Sequence, residues 1–194
     1  AGSNDLLDLR DLGIVGTNNV SGVKFTPYFE SFSNFDRHIQ SPTQGLPTLT
    51  KSIIPYNVRN NVNFIPPGRY VVTSNEVFDN GRPTHISKGT TILLGKNISV
   101  VFKGGLTIDG ENPGDVVVKP IKKDAAFGGI VVVGNDTELC TIRGLDLSGG
   151  SEGFVDGIYF SGGLSINHCK ETNISNSVVH RNKGDDGLNV KFSK

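Results

Sequence analysis

Asp156, Arg181, Lys183, Asp185 and Asp186 have the types and spacing of a working site. Asp156 stands directly before Gly157, and Asp185-Asp186 stand directly before Gly187. The segments that follow are alike: Gly157-Ile158-Tyr159-Phe160 and Gly187-Leu188-Asn189-Val190 both echo Gly129-Ile130-Val131-Val132. Read as successive turns of one repeat, these segments put Asp156 and Asp186 at equivalent corners. Strands stacked about 4.7–4.9 Å apart would then bring the two carboxylates together, with Asp185 beside them. Like charges held that close raise one another's pKa unless a cation compensates. Three chemistries are open to such a cluster. Asp156, Asp185 and Asp186 offer hard oxygen ligands for a metal, Ca²⁺ being the candidate cofactor. With Arg181 and Lys183 (and Lys191 further on) as nearby bases, the same residues are candidate catalytic groups. Asp before Gly at a corner is also a turn residue that accepts backbone N–H bonds. His168 and His180 fall in the same stretch, at no metal-ligand spacing. No phosphate loop, dinucleotide fingerprint or nucleophile elbow occurs in the chain.

The elements that must position these residues are short strands. From Val62 onward, runs such as Thr91-Ile92-Leu93-Leu94, Val100-Val101-Phe102, Leu106-Thr107-Ile108 and Val116-Val117-Val118 are each closed by Gly, Asn or Asp. Apolar residues alternate with polar ones in the later runs, as in Thr141-Ile142-Arg143 and Thr172-Asn173-Ile174, so one face is core and the other solvent. The recurrence of 28 to 30 residues between the Gly-apolar segments has no helix inside it. Each repeat must therefore stack its strands on the one before, which predicts an all-β, right-handed parallel β-helix, a solenoid. Hairpin sheets would show more two-residue turn signals; Asn80-Gly81 is the clear one and is assigned to a loop.

Residues 1–61 read differently, as an N-terminal cap and lead-in to the coils of 62–194. Thr26-Pro27 has the form of a helix start, and Phe25, Tyr28, Phe29, Phe32, Phe35 and Ile39 follow at helical spacing. An amphipathic helix there would plug the open end of the sheets, whose edge groups otherwise lack partners. The chain ends at Lys194, soon after the repeat that starts at Gly187. The expectation is that C-terminal coils are missing or that another chain covers that end.

The bulk composition narrows the class. Nineteen basic residues balance nineteen acidic ones and no basic stripe is visible, so nucleic acid is not an expected partner. No apolar run approaches the roughly 20 residues of a membrane-spanning helix. The chain contains no Met and begins Ala1-Gly2-Ser3, which reads as a mature, tagged or trimmed form. Cys140 and Cys169 are too few for a disulfide scaffold and are expected to be buried thiols; an inter-coil bridge is the alternative. Sequons at Asn19, Asn97, Asn135 and Asn173 fall within an Asn- and Ser-rich chain and carry little information.

At this point the chain resembles a family. Ile65-Pro66-Pro67-Gly68-Arg69-Tyr70 resembles the opening motif of pectin-lyase-like β-helices, and His85–Leu94 with Gly104–Gly110 resembles their early coils. Gly162–Asn167 and Lys183–Asn189 are similar to β-helix regions found beside spore-coat CotH-like modules in bacterial surface proteins. The resemblance implies a secreted or cell-surface protein that acts on a polysaccharide, as a lyase or glycoside hydrolase on an acidic glycan. In pectate lyases Asp-held Ca²⁺ binds the acidic sugar while Arg or Lys takes a proton. In polygalacturonase-like enzymes, Asp residues on adjacent coils do acid–base work around a water. Here no Asn-Thr precedes Asp156, no Cys follows Asp186, and the Gly-His-Gly and Arg-Ile-Lys segments are absent. The alternative is a non-catalytic surface, fibre or glycan-binding β-helix module.

Overall fold

The structure is a computed structural model that describes residues 54–194, so the helix expected from Thr26 lies outside the described residues. Every regular element among the described residues is a strand, and none is a helix long and apolar enough to cross a membrane. Fifteen of these strands pass in strict rotation through three parallel sheets.

The first sheet is built from β2 (Val62–Ile65), β5 (Thr84–Ser87), β8 (Leu106–Asp109), β11 (Leu139–Arg143) and β16 (Glu171–Ser175). The second holds β3 (Gly68–Val72), β6 (Thr90–Leu94), β9 (Val116–Pro120), β12 (Leu145–Ser148) and β17 (Val178–His180). The third holds β4 (Glu76–Phe78), β7 (Val100–Lys103), β10 (Ile130–Val133), β15 (Leu164–Asn167) and β18 (Leu188–Lys191). A short strand, β1 (Asn57–Arg59), adds to the first sheet antiparallel to β2. The turn between them places Asn60 and Asn61 at φ of 48° and 62°, the left-handed pair a two-residue hairpin requires.

Columns of like residues fill the interior. Ile65, Ile86, Ile108, Ile142 and Ile174 are register partners in the first sheet. Phe78, Phe102, Val132, Ile166 and Val190 form the matching column of the third, with the two rings stacked at 5.0 Å. All but Ile174 and Val190 are buried. Each fully buried aliphatic contributes roughly 1.5–3 kcal/mol, so the repeated columns are what fixes register.

The repeats are uneven. Glu76, Val100, Ile130, Leu164 and Leu188 stand side by side in the third sheet, at spacings of 24, 30, 34 and 24 residues. The extra length lies in two insertions, the loop 121–129 and the segment 149–163. The second of these corrects the expected register. Gly157-Ile158-Tyr159-Phe160 is not the counterpart of Gly129–Val132; Gly163-Leu164-Ser165-Ile166 is. Residues 153–160 form an antiparallel hairpin, β13 (Gly153–Val155) and β14 (Ile158–Phe160), closed by Asp156 at φ 51° and Gly157 at φ 78°. That is the two-residue turn for which Asp-Gly is suited, and it overrides the resemblance to a repeat start. Val155 and Phe160 pack on Val101 and Val131, covering part of the third sheet's outer face.

Candidate functional site

The first insertion borders a groove of about 760 Å³ beside the C-terminal ends of three neighbouring strands of the second sheet. One wall is Lys119 and Pro120 at the end of β9, continuing through Ile121 and Lys123 to Ala126. The floor is Ser148 and Gly149 after β12. The other wall is Arg181, Asn182 and Lys183 after β17. Four cations and one carboxylate, Asp124, line the space. Among the described residues none of the four cations is in a salt bridge.

Backbone bonds between repeats hold this arrangement. The loop returns to the core through Phe127, which is fully buried and donates its N–H to the Gly149 carbonyl at 3.2 Å. Gly149 takes φ 78° and Arg181 φ 53°, so both chains bend away from their strands at the same level. Gly149 donates to the His180 carbonyl at 3.3 Å, and Lys183 donates to the Gly150 carbonyl at 2.7 Å. Asn182 turns inward between the two cations, and its Oδ1 accepts the Gly150 N–H at 2.9 Å. The amide fits because Gly150 and Gly163 carry no side chain; a Cβ on Gly163 would lie 2.5 Å from that oxygen.

The residues singled out by sequence divide into two sets. Arg181 and Lys183 are brought together with Lys119 and Lys123. The carboxylates are not brought together as expected. Asp156 sits at the exposed hairpin tip, its Oδ2 3.7 Å from the Lys103 Nζ, which also binds Asp79 at 2.9 Å. Asp186 accepts from the Asn189 amide at 3.1 Å, and its carbonyl accepts the Gly163 N–H at 3.3 Å, the bonding of a turn residue. Asp185 is exposed beside it. The equivalence of Asp156 and Asp186 fails because the hairpin removes Asp156 from the repeat. Among the described residues no three His, Cys, Asp or Glu side chains converge on a point that could hold a metal ion. This donor set does not fit Ca²⁺, which takes six to eight oxygens.

The acidic residues near the hairpin act on Tyr159 instead. Tyr159 donates its hydroxyl to Glu152 Oε2 at 2.7 Å, and this bond, partial burial and the charges of Asp185 and Asp186 raise the phenol's pKa. His180 Nε2 lies 2.9 Å from Asp146 Oδ1, and His168 Nδ1 lies 3.5 Å from Asp136, so both histidines have carboxylate partners.

Lys119 and Lys123 were not legible as site residues. The available signal was the run Lys119-Pro120-Ile121-Lys122-Lys123 where the repeat lengthens, but a lysine-rich loop ordinarily reads as a solvated surface. No protein-family model matches this chain, and no curated protein and no solved structure matches it either.

Proposed function

We propose that the chain is an extracellular, right-handed parallel β-helix protein whose basic groove binds an acidic glycan. The observation that carries this reading is the convergence of Lys119, Lys123, Arg181 and Lys183 on one groove of a chain with no net charge. The rotation of strands through three parallel sheets supports the β-helix, and the motifs at Ile65–Tyr70 and Lys183–Asn189 support the pectin-lyase-like assignment.

The chemistry favours a carboxylated sugar polymer. Arg offers a planar fork for a carboxylate, and Lys offers point charges along a track. Among the described residues no aromatic side chain lines the groove, which disfavours stacking of a nucleobase. A polymer whose charges repeat along its length gains from several modest contacts at once. Each exposed ion pair is worth about 0.2–1 kcal/mol.

Cleavage in the same groove is a second reading, favoured by the position of Arg181 and Lys183 among the lining residues with Asp185 and Asp186 close behind in sequence. One experiment separates the readings. The protein is titrated with polygalacturonate, a neutral glucan and single-stranded RNA, and the polygalacturonate is then assayed for new reducing and unsaturated ends. Binding to polygalacturonate alone, unaffected by EDTA, is the expected result. Unsaturated ends would select a lyase, and reducing ends alone a hydrolase. Equal affinity for the neutral glucan, or preference for RNA, would overturn the proposal.

A further inference from the structure

We propose that Ser148 and His180, positioned by Asp146, are a catalytic pair at the edge of the basic groove that removes small acyl esters from the glycan bound there. The choice of substrate rests on the acidic-glycan reading; the catalytic pair rests on the second sheet alone.

Strand alternation puts all three side chains on one outer face. In β12 Leu145 and Leu147 are buried, so Asp146 and Ser148 point outward. Ser148 is the register partner of His180 in β17, one strand spacing of about 4.7–4.9 Å away. The Gly149 N–H donates to the His180 carbonyl at 3.3 Å, which fixes the two corners at one level. The imidazole leans back along β12, and its Nε2 lies 2.9 Å from Asp146 Oδ1. A carboxylate there selects the tautomer with its proton on Nε2 and leaves the Nδ1 lone pair free. Among the described residues neither Nδ1 nor the Ser148 hydroxyl is bonded to any group. The Ser148–His180 bond therefore closes by rotation of the hydroxyl as substrate is seated, when catalytic hydrogen bonds tighten. His180 and Asp146 are each 38% exposed, so substrate can reach the imidazole. On the other side, Val118 of β9 pairs with Leu147, which makes the next residues, Lys119 and Ser148, neighbours. Both line the groove with Arg181.

Ser148 Oγ bonds to the acyl carbonyl carbon as its proton passes to His180 Nδ1, while Asp146 stays ionised beside the imidazolium. Lys119 faces the negative charge that forms on the carbonyl oxygen. Collapse breaks the bond between acyl carbon and sugar oxygen, and that oxygen takes the proton from His180. Water then attacks the acyl-serine and gives a proton to Nδ1. The carboxylic acid leaves as Ser148 recovers that proton. An O-acetyl group fits better than a methyl ester, because acetylation leaves the sugar carboxylates charged for the groove's cations.

The full chain is incubated with O-acetylated polygalacturonate and free acetate is followed, alongside binding of unacetylated polygalacturonate. A fluorophosphonate probe then marks the reactive serine by mass. Acetate release and a single adduct on Ser148 are expected. Ser148→Ala should lower acetate release by roughly 100-fold or more and abolish the adduct. Asp146→Asn should slow labelling and release together, with Tm within about 2 °C of the parent and partial rescue in Asp146→Glu. A merely structural ion pair would leave both rates unchanged. Acetate release no faster than in Ser148→Ala, with polygalacturonate still bound, would overturn the inference and leave the glycan reading standing. A Ser148 adduct and hydrolysis of nitrophenyl acetate without polygalacturonate binding would support the catalytic pair and overturn its assigned substrate.

Discussion

Asn182 is where fold and groove are coupled most tightly, and Asn182→Ala should separate its two contributions. The substitution removes the acceptor of the Gly150 N–H bond at 2.9 Å and empties the space between Gly150 and Gly163. A partly buried amide left without its partner costs about 1–3 kcal/mol. For a chain of this length that corresponds to a fall in Tm of roughly 2–4 °C per kcal/mol. Binding should fall as well, because Arg181 and Lys183 flank Asn182 and lose the anchor that orients them. Two exposed ion pairs weakened together amount to about 0.4–2 kcal/mol, a loss of roughly 2- to 30-fold in affinity for polygalacturonate. Calorimetric titration and thermal unfolding on the same sample measure both. The Arg181→Ala/Lys183→Ala variant should lose as much affinity while keeping the parent Tm within about 2 °C. If Asn182→Ala melts earlier yet binds as the parent does, the claim that this side chain positions the groove's cations is refuted.

Three further outcomes follow from the same geometry. Ile108→Ala, in the middle of a buried isoleucine column, should cost about 2–5 kcal/mol in urea unfolding, whereas Ile174→Ala, half-buried, should cost clearly less. Gly157→Val puts a β-branched residue at φ 78° and should cost roughly 1–2 kcal/mol, with faster amide exchange confined to residues 153–160 and glycan affinity unchanged. Asp115 is held down to about 2 by the N–H groups of Asn112 and Glu111, with Lys88 adding to them. Its folded pKa is below the unfolded value. The stabilisation is therefore complete above about pH 4 and is lost as pH falls toward about 2, a slope that Asp115→Asn should flatten in acid unfolding.

The strands were legible because the interior is periodic. Ile65, Ile86, Ile108 and Ile142 recur at closely matching positions between Gly and Asn turns, and nothing but stacked parallel strands buries them all. The register of the third sheet was not legible, because Gly157-Ile158-Tyr159-Phe160 satisfies the repeat pattern and the hairpin pattern equally. The deciding fact is three-dimensional: Val155 and Phe160 find Val101 and Val131 on an outer sheet face that no periodicity marks as covered. That single misreading produced the expected carboxylate cluster. Arg181 and Lys183 stay together on one groove because they are neighbours in sequence. Their partners Lys119 and Lys123 come from an earlier repeat and meet them only through the stacking of β9, β12 and β17.

Charge neutralisation confined to the groove tests the central claim most directly. Lys119→Ala/Lys123→Ala/Arg181→Ala/Lys183→Ala is compared with Lys96→Ala/Lys170→Ala/Lys191→Ala/Arg69→Ala, which removes as many exposed cations elsewhere. Affinity for polygalacturonate is measured by calorimetry at two salt concentrations. The account predicts that the groove variant loses at least tenfold in affinity and most of its salt dependence, while the control keeps both. Equal losses in the two variants would show that net charge, not the groove, holds the glycan, and would contradict the account.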